Sequence, residues 1–159
     1  MSLVRRATPE DAPEVLRLRQ VMIHAVFDAD SPSSWHAESL PTVRERLADT
    51  EGSFAAFVID HPDRPGALAA LVAGTIDYRI GRAGNPLGAV GHVFSVATDP
   101  DARHRGYARA GMEALLDWFR ERGVPQVDLN ASAEAEPLYR ALGFVRKNDP
   151  SMRLSLPPA

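Results

Sequence analysis

The sequence predicts a single α/β (α+β) domain built on a mixed, mostly antiparallel sheet. Three apolar stretches, 53–60, 67–79 and 87–98, follow one another and are joined by turns rich in glycine and proline. An amphipathic helix begins near residue 107, directly after the third stretch. The chain has 159 residues, enough for one core, and no linker divides it. We therefore expect one domain over 1–159, with about seven strands flanked by about four helices.

Composition and charge narrow the possible classes of function. The net charge is −3 and the pI is near 5.9, which argues against a nucleic-acid binder that acts through bulk electrostatics. The chain has no cysteine, so disulfides, a thiol nucleophile and a thiolate metal site are excluded, and we expect no bound metal. It has no long apolar leader and no apolar run near eighteen residues, so we expect a cytoplasmic protein that is not embedded in a membrane.

The N-terminal third is predicted to contain one strand and two helices. Residues 3–7 are typical of a short edge strand. The segment 8–11 then supplies a capping threonine, a proline at the first helical position and two acidic residues, so a helix is predicted over 9–27. Its apolar residues recur at helical spacing: Val15, Leu18, Met22 and Val26. The polar stretch 28–41 is predicted to be a loop or a broken helix, and 42–49 a short helix.

The turn 99–108 connects the third central strand to the most strongly patterned helix. Five apolar residues share one face of that helix: Ala108, Met112, Leu115, Leu116 and Phe119. A strand that turns tightly into a helix presents unpaired N–H groups at the positive end of the helix dipole, which favours binding of phosphate. Gly106 and Ala108 let an anion approach the backbone. A Rossmann dinucleotide loop is less favoured, because two glycines of its pattern are missing.

The C-terminal part is predicted to contain one strand, one helix and a hairpin. Gly123, followed by a proline, ends the long helix. A short strand is predicted over 127–131 and a helix over 134–142. Two further apolar stretches, 144–147 and 152–156, predict a terminal hairpin.

Two motifs, together with the order of the elements, resemble the GNAT N-acetyltransferase superfamily. Arg103-x-x-Gly106-x-Ala108 resembles the family's acyl-CoA diphosphate loop, whose pattern is Gln/Arg-x-x-Gly-x-Gly/Ala. Downstream, Leu138-Tyr139-x-x-x-Gly143-Phe144 resembles its Leu-Tyr-x-x-x-Gly-Phe element. The predicted order of strands and helices is that of the GNAT fold along the whole chain.

The resemblance implies that the chain binds acetyl-CoA as a co-substrate. In the family, two central parallel strands splay apart after a bulge, and the pantetheine arm enters the cleft between them. The implied pair here ends at Ala97 and near Ala131, and backbone groups near Val96 would pair with the pantetheine as an added strand does. The expected contacts with CoA are Val96, Ala97, Thr98, Arg103, His104, Arg105, Gly106, Tyr107, Ala108, Arg109 and Ser132. Ser132 stands where many members carry asparagine, and its hydroxyl is also suited to capping a helix.

Two residues are the candidates for catalysis. The resemblance implies that Tyr139 protonates the leaving thiolate, a role that suits a phenol with an ordinary pKa near 10. A tyrosine packed under the sheet is the structural alternative. The strand 91–97 holds no carboxylate, so His92 is the candidate general base, although a lone histidine on a strand is more often structural. Asp77 and Glu134 are the other candidates for the base.

The expected function is transfer of an acyl group from acyl-CoA, with acetyl-CoA as the expected donor, to an amine of a small molecule or a protein. Without cysteine the attack is expected to be direct. A regulatory module that binds acyl-CoA without turnover is the alternative, and a nucleotide-binding domain is a third, less favoured reading. Six residues within 20–40 are candidates for recognising a cationic amine, and the alternative is that they lie in a solvated loop. They are His24, Asp28, Asp30, Trp35, His36 and Glu38. Exposed terminal strands make a homodimer plausible.

Overall fold

A computed structural model of the chain describes residues 2–158 and contains five strands and four helices. The strands are β1 Arg5–Arg6, β2 Phe54–Asp60, β3 Leu68–Tyr78, β4 Ala89–Thr98 and β5 Val127–Leu129. The helices are α1 Ala12–Val26, α2 His36–Ala48, α3 Tyr107–Glu121 and α4 Glu136–Ala141. Short 3₁₀ turns precede α1, at Pro9–Asp11, and α3, at Pro100–Ala102. No helix in this part of the chain combines the length and apolar character that a membrane crossing requires.

The strands form one sheet in the order β1-β2-β3-β4-β5. The strands β1 to β4 pair with one another in antiparallel fashion, as predicted for the central meander. Strand β5 is parallel to β4. The pairing of β3 with β4 shifts register where Ala73 and Gly74 lie opposite Ser95 and Val93, so Phe94 is an extra residue in β4. This β-bulge changes the direction of β4 just where a ligand-binding cleft is expected.

Helices cover both faces of the sheet, and each face has its own core. Helices α1 and α2 pack on one face over a cluster that includes Leu18, Leu47 and Leu71. Helices α3 and α4 pack on the other face over a cluster that includes Leu115 and Phe119. The α/β fold class predicted from the sequence is therefore confirmed.

Helix α3 packs against the sheet at two glycines, Gly91 of β4 and Gly111 of α3 itself. A Cβ atom added to Gly91 would lie 2.8 Å from a ring atom of Phe119, and one added to Gly111 would lie 2.6 Å from a methyl group of Val72. Neither contact leaves room for a side chain without movement of the helix or the strand. The spacing between α3 and the strands beneath it is thus fixed by the absence of two side chains.

The structure corrects two predictions. Helix α2 begins at His36 rather than at Thr42 and contains Pro41, which belongs to the stretch 28–41 predicted as a loop or a broken helix. The predicted terminal hairpin is wrong: the described residues after α4 form no strand, so the sheet has five strands rather than about seven. The short β5 offers only three residues for pairing, and the prolines at 150, 157 and 158 have no N–H to donate to a ladder.

Candidate functional site

The turn before α3 presents free backbone N–H groups to solvent. His104 and Gly106 both have positive φ angles, 63° and 79°, so the chain turns back on itself just before the helix. Gly106 occupies the cap position, and no side chain caps the helix there. The first intrahelical bond runs from the N–H of Ala110 to the carbonyl of Gly106, which leaves the N–H groups of residues 107–109 available. Together with the helix dipole they form a site suited to an anion.

Three arginines surround this turn. Arg103, Arg105 and Arg109 are exposed, and Arg109 pairs with Glu113 on the next turn of α3 at 3.1 Å. Arg105 reaches back to the carbonyl of Asp101 at a long 3.4 Å. Tyr107 and Ala108 are half-buried at the start of the helix. The turn therefore combines main-chain donors with exposed cationic side chains.

Strands β4 and β5 separate beside this turn. Their pairing covers only Gly91 to Val93 of β4, opposite Val127 to Leu129. Beyond Val93 the strand runs on to Thr98 with no partner on its β5 side among residues 2–158. Val96, Ala97 and Thr98, the residues predicted to contact the pantetheine arm, lie on this unpaired segment, which ends at the turn. The split between the strands follows the bulge at Phe94, as the family resemblance implies.

Tyr139 lies on α4 and lines a cavity of about 1050 Å³ beside the free edge of β5. Its side chain is 7% exposed and packs edge-on against Phe144, with ring centroids 6.0 Å apart. The hydroxyl bonds to no other described residue, yet it is not among the buried unpartnered atoms, so it opens onto the cavity. Burial raises the pKa of Tyr139 above its ordinary value near 10, which keeps the phenol protonated at neutral pH.

The structure places His92 at the border of the same cavity. It is half-buried on β4, and Asp128 of β5 lies directly opposite it in the register. Of the other candidates for the base, Asp77 is exposed and pairs with Arg79 at 2.7 Å, and Glu134 is exposed. None of the residues that line this cavity comes from 96–109. The two predicted catalytic residues therefore share one cavity, while the predicted contacts with CoA lie outside its lining.

Ser132 precedes α4, where its hydroxyl accepts a hydrogen bond from the N–H of Ala135 at 3.3 Å. Ala135 is the cap residue of the helix, so Ser132 stabilises the turn that leads into α4. No described side chain caps α4, so the predicted capping role is wrong: the hydroxyl of Ser132 bonds within the turn before the helix. A contact of Ser132 with CoA stays a prediction.

The residues proposed to meet an acceptor form a hydrogen-bonded cluster around Gln20, which the sequence reading had overlooked. The Oε1 atom of Gln20 accepts from Trp35 Nε1 at 3.0 Å and lies 3.1 Å from His36 Nε2. Its amide nitrogen lies 2.9 Å from His24 Nε2. Gln20 is 6% exposed, so this cluster ties α1 to the start of α2. Asp28, Asp30 and Glu38 are exposed.

Comparisons with known proteins agree with this geometry. The profile of the Acetyltransferase (GNAT) family matches residues 21–144, which include the bulge, the anion-binding turn and α4. The chain belongs to the GNAT family. The resemblance drawn from the motifs is thereby confirmed.

Individual relatives show how far the likeness extends. A mycothiol acetyltransferase from Thermobispora bispora is 32% identical over 158 aligned positions, covering 87% of this GNAT chain and 50% of the relative. Glucosamine 6-phosphate N-acetyltransferase 1 from Oryza sativa is 36% identical over 83 residues, 52% of this chain and 48% of the relative. The chain thus spans about half the length of these relatives.

The fold recurs in a crystal structure of a predicted acetyltransferase with acetyl-CoA from Clostridium acetobutylicum. That structure superposes with a TM-score of 0.77 at 19% identity and covers 96% of this chain and 94% of its own. At that identity the likeness concerns the fold alone.

Proposed function

We propose that this chain is an N-acetyltransferase that takes the acetyl group from acetyl-CoA and passes it directly to an amine. The observation that carries the proposal is the uncapped N-terminus of α3, with free N–H groups at residues 107–109, at the end of a β4 segment that pairs with β3 but has no partner on its β5 side among the described residues. Membership of the GNAT family, whose donor is acetyl-CoA, supports the choice of donor.

The donor would be held by two adjoining parts of the chain. The diphosphate would accept hydrogen bonds from the N–H groups at 104–108, with charge compensation from Arg103, Arg105 and Arg109. The pantetheine arm would lie along Val96 to Thr98 and pair with the free edge of β4 as an added strand. This placement sets the thioester near the bulge at Phe94, where β4 and β5 separate.

The proposed chemistry is a single displacement with a tetrahedral intermediate. The nitrogen lone pair of a neutral amine attacks the thioester carbonyl and forms a C–N bond. The intermediate then collapses, the C–S bond breaks, and the thiolate takes a proton from the hydroxyl of Tyr139. The proton lost by the amine goes to a base or to water. Because the chain has no cysteine, no acyl-enzyme on a thiol intervenes.

His92 is the proposed base, because it borders the cavity that also holds Tyr139. We expect the acidic limb of the pH profile of kcat/KM to change in His92→Gln, while a variant at the exposed Asp77 leaves it as in the wild type. An unchanged profile in His92→Gln would assign the proton to water instead.

The acceptor is proposed to be an amine whose identity is open. The relatives named above, and the ribosomal protein bS18 alanine N-acetyltransferase of Escherichia coli, 38% identical over 63 residues, differ in what their names say they acetylate. An acceptor would approach from the side of His92, where the cavity opens. The cytoplasmic location and the homodimer stay predictions, and sedimentation analysis tests the latter.

Calorimetric titration with acetyl-CoA, followed by assays of CoA release against a panel of amines, tests the proposal. We expect saturable binding of acetyl-CoA and release of CoA with at least one amine. Binding without release by any amine would favour the regulatory module, for which the lack of a carboxylate on 91–97 is the supporting observation. Absence of binding would refute both.

A further inference from the structure

A network of ion pairs joins the segment Asp99–Ala102 to two distant parts of the chain. The side chain of Asp99 is 8% exposed, and its Oδ2 accepts a hydrogen bond from Arg17 of α1 at 2.9 Å and another from Arg64 of the β2–β3 turn. The same Arg64 also donates to Asp101. The guanidinium of Arg64 therefore bridges the two carboxylates on either side of Pro100. These residues come directly before 103–106, the exposed part of the turn that leads into α3.

Two more groups complete the network. His61, whose side chain is 2% exposed, lies with Nε2 2.9 Å from Asp101. Its Nδ1 accepts the N–H of Asp63 at 3.1 Å, so the proton of the neutral ring is on Nε2 and is donated to Asp101. On the other side, Glu14 accepts from Arg17 at 2.6 Å and from the N–H of Leu68 at 2.8 Å.

This network is a set of compensated charges rather than a metal site. His61, Asp99 and Asp101 bring three possible ligand atoms close together. Arg64 bonds both carboxylates, and Arg17 adds a second positive group at Asp99. The hydrogen bond from His61 is the largest effect on the pKa of Asp101 and lowers it; desolvation comes next and opposes it, and the bond from Arg64 lowers the pKa further. A divalent cation would have to displace Arg64 to reach both carboxylates.

The network fixes residues 99–102, and these residues support the exposed residues 103–106 that follow them. The N–H of Asp99 donates to the carbonyl of Ala69, the N–H of Ala102 donates to that of Asp99, and Ala102 is fully buried. From Arg103 to Gly106 every residue is exposed, and the turn has little other support on the strand side. The direction in which its N–H groups point thus depends on the position of 99–102.

We infer that Arg64, Asp99, Asp101 and His61 are positioning residues for the diphosphate of the acyl donor, an inference that rests on the proposed function. They hold the start of the turn against α1 and the β2–β3 turn, so the N–H donors are arranged before the ligand arrives. Donors that are fixed in advance bind more tightly, because less conformational freedom is lost on binding.

Asp101→Ala distinguishes a positioning role from a purely electrostatic one, because the two predict opposite changes in the affinity for an anionic ligand. Asp101 carries a negative charge two residues before the exposed residues 103–106, and its side chain is 52% exposed. If its charge acted only through space, Asp101→Ala would strengthen the binding of an anionic ligand. If it acts by positioning, the same change weakens that binding.

The experiment measures the affinities of the full chain for acetyl-CoA and, by competition, for S-acetylpantetheine, which has the thioester arm but no diphosphate. The variants are Arg64→Met and Asp101→Ala. The matched control is Arg5→Met, because Arg5 also bridges two aspartates, Asp11 and Asp60, and neither of them bonds a member of the network. We expect both test variants to weaken acetyl-CoA binding about tenfold and S-acetylpantetheine binding by less than about twofold, with Arg5→Met changing neither.

The outcomes distinguish failure of the proposed function from failure of the positioning role alone. If the wild type does not bind acetyl-CoA, the proposed function fails, and this inference fails with it. If the wild type binds but Arg64→Met behaves like Arg5→Met, or loses affinity for both ligands equally, the positioning role is overturned alone. Tighter binding by Asp101→Ala would also overturn it, and this exposed position keeps the test available if Arg64→Met does not fold.

Discussion

Arg19 of α1 donates a hydrogen bond from Nη1 to the main-chain carbonyl of Phe94 at 2.9 Å. Its guanidinium carbon also lies 5.7 Å from the centre of the Phe94 ring. Phe94 is the bulge residue of β4, one position beyond the last residue that pairs with β5. The side chain of Arg19 is half-buried, and burial lowers its pKa, although an arginine stays charged at every ordinary pH. Arg19 therefore holds the bulge from the α1 side.

Replacement of Arg19 by methionine is expected to cost about 1 kcal/mol of unfolding free energy, through loss of the hydrogen bond and the cation–π contact. We also expect kcat to fall about tenfold, because the thioester would lie beside a less ordered bulge. Urea unfolding and steady-state rates measure the two effects. Arg122→Met is the matched control, since Arg122 donates to the carbonyl of Gly52 at 2.9 Å and lies 5.2 Å from the Trp118 ring, and its hydrogen bonds reach no residue of β4. A drop in kcat of equal size in both variants would contradict the prediction.

Gly106→Ala tests the turn before α3. The position has φ +79° with nothing within 4 Å of an added Cβ, so the change acts through backbone strain of about 1–2 kcal/mol rather than through a clash. Relief of that strain would move the N–H groups, and the affinity for acetyl-CoA is expected to fall at least about tenfold. Gly84→Ala serves as control, since Gly84 has φ +84°, equally open surroundings and a place in the β3–β4 connection. Calorimetry that finds equal affinities in the two variants would count against the diphosphate site.

Tyr139→Phe tests the proton donor. The phenol bonds to no described residue, so its removal is expected to change the unfolding free energy by less than about 0.5 kcal/mol. We expect kcat to fall about 100-fold with an unchanged affinity for acetyl-CoA, since a general acid acts on the leaving group. Tyr78→Phe, at a side chain that is 62% exposed, is the control. Rapid-quench and steady-state rates that match the wild type would remove Tyr139 from the mechanism.

Glu136 ties the C-terminal segment to α4. Hydrogen bonds from Arg146 and then from Arg140 lower its pKa to about 2. A carboxylate with a lowered pKa in the folded chain contributes stability above its unfolded pKa near 4.5, and that contribution is lost as the pH falls towards 2. We therefore expect Arg146 to lose its contact with α4 in this window, seen as a shift of the amide NMR signals of residues 145–147. Glu136→Gln should show the shifted signals already at neutral pH, and Asp117→Asn, which breaks an exposed pair with Arg120, should not.

Local pattern was sufficient for much of this fold. The apolar repeat from Ala108 to Phe119 predicted α3, and the turn before it was predicted from Gly106 and its flanking arginines. Both depend on interactions between residues close in sequence. The polar character of 28–41 does not predict that α2 begins at His36, and the chain accepts Pro41 inside that helix.

Local sequence patterns could not predict the hydrogen bonds between side chains around the candidate site. Arg17 and Asp99 are 82 residues apart, Arg19 and Ser95 are 76 apart, and Arg64 and Asp101 are 37 apart. No periodicity links such pairs, since only the folded topology brings them together. The terminal hairpin failed for the opposite reason: Met152, Leu154 and Leu156 alternate as in a strand, yet all three are at least 79% exposed because no sheet edge covers them.

Close packing at Gly91 of β4 and Gly111 of α3 couples the position of that strand to the helix end at which the diphosphate is proposed to bind. Residues 28–30, between α1 and α2, are exposed. If the proposed function holds, substitutions at 28–30 would change the choice of amine without changing how the donor is bound. Donor binding and acceptor selection would then evolve independently.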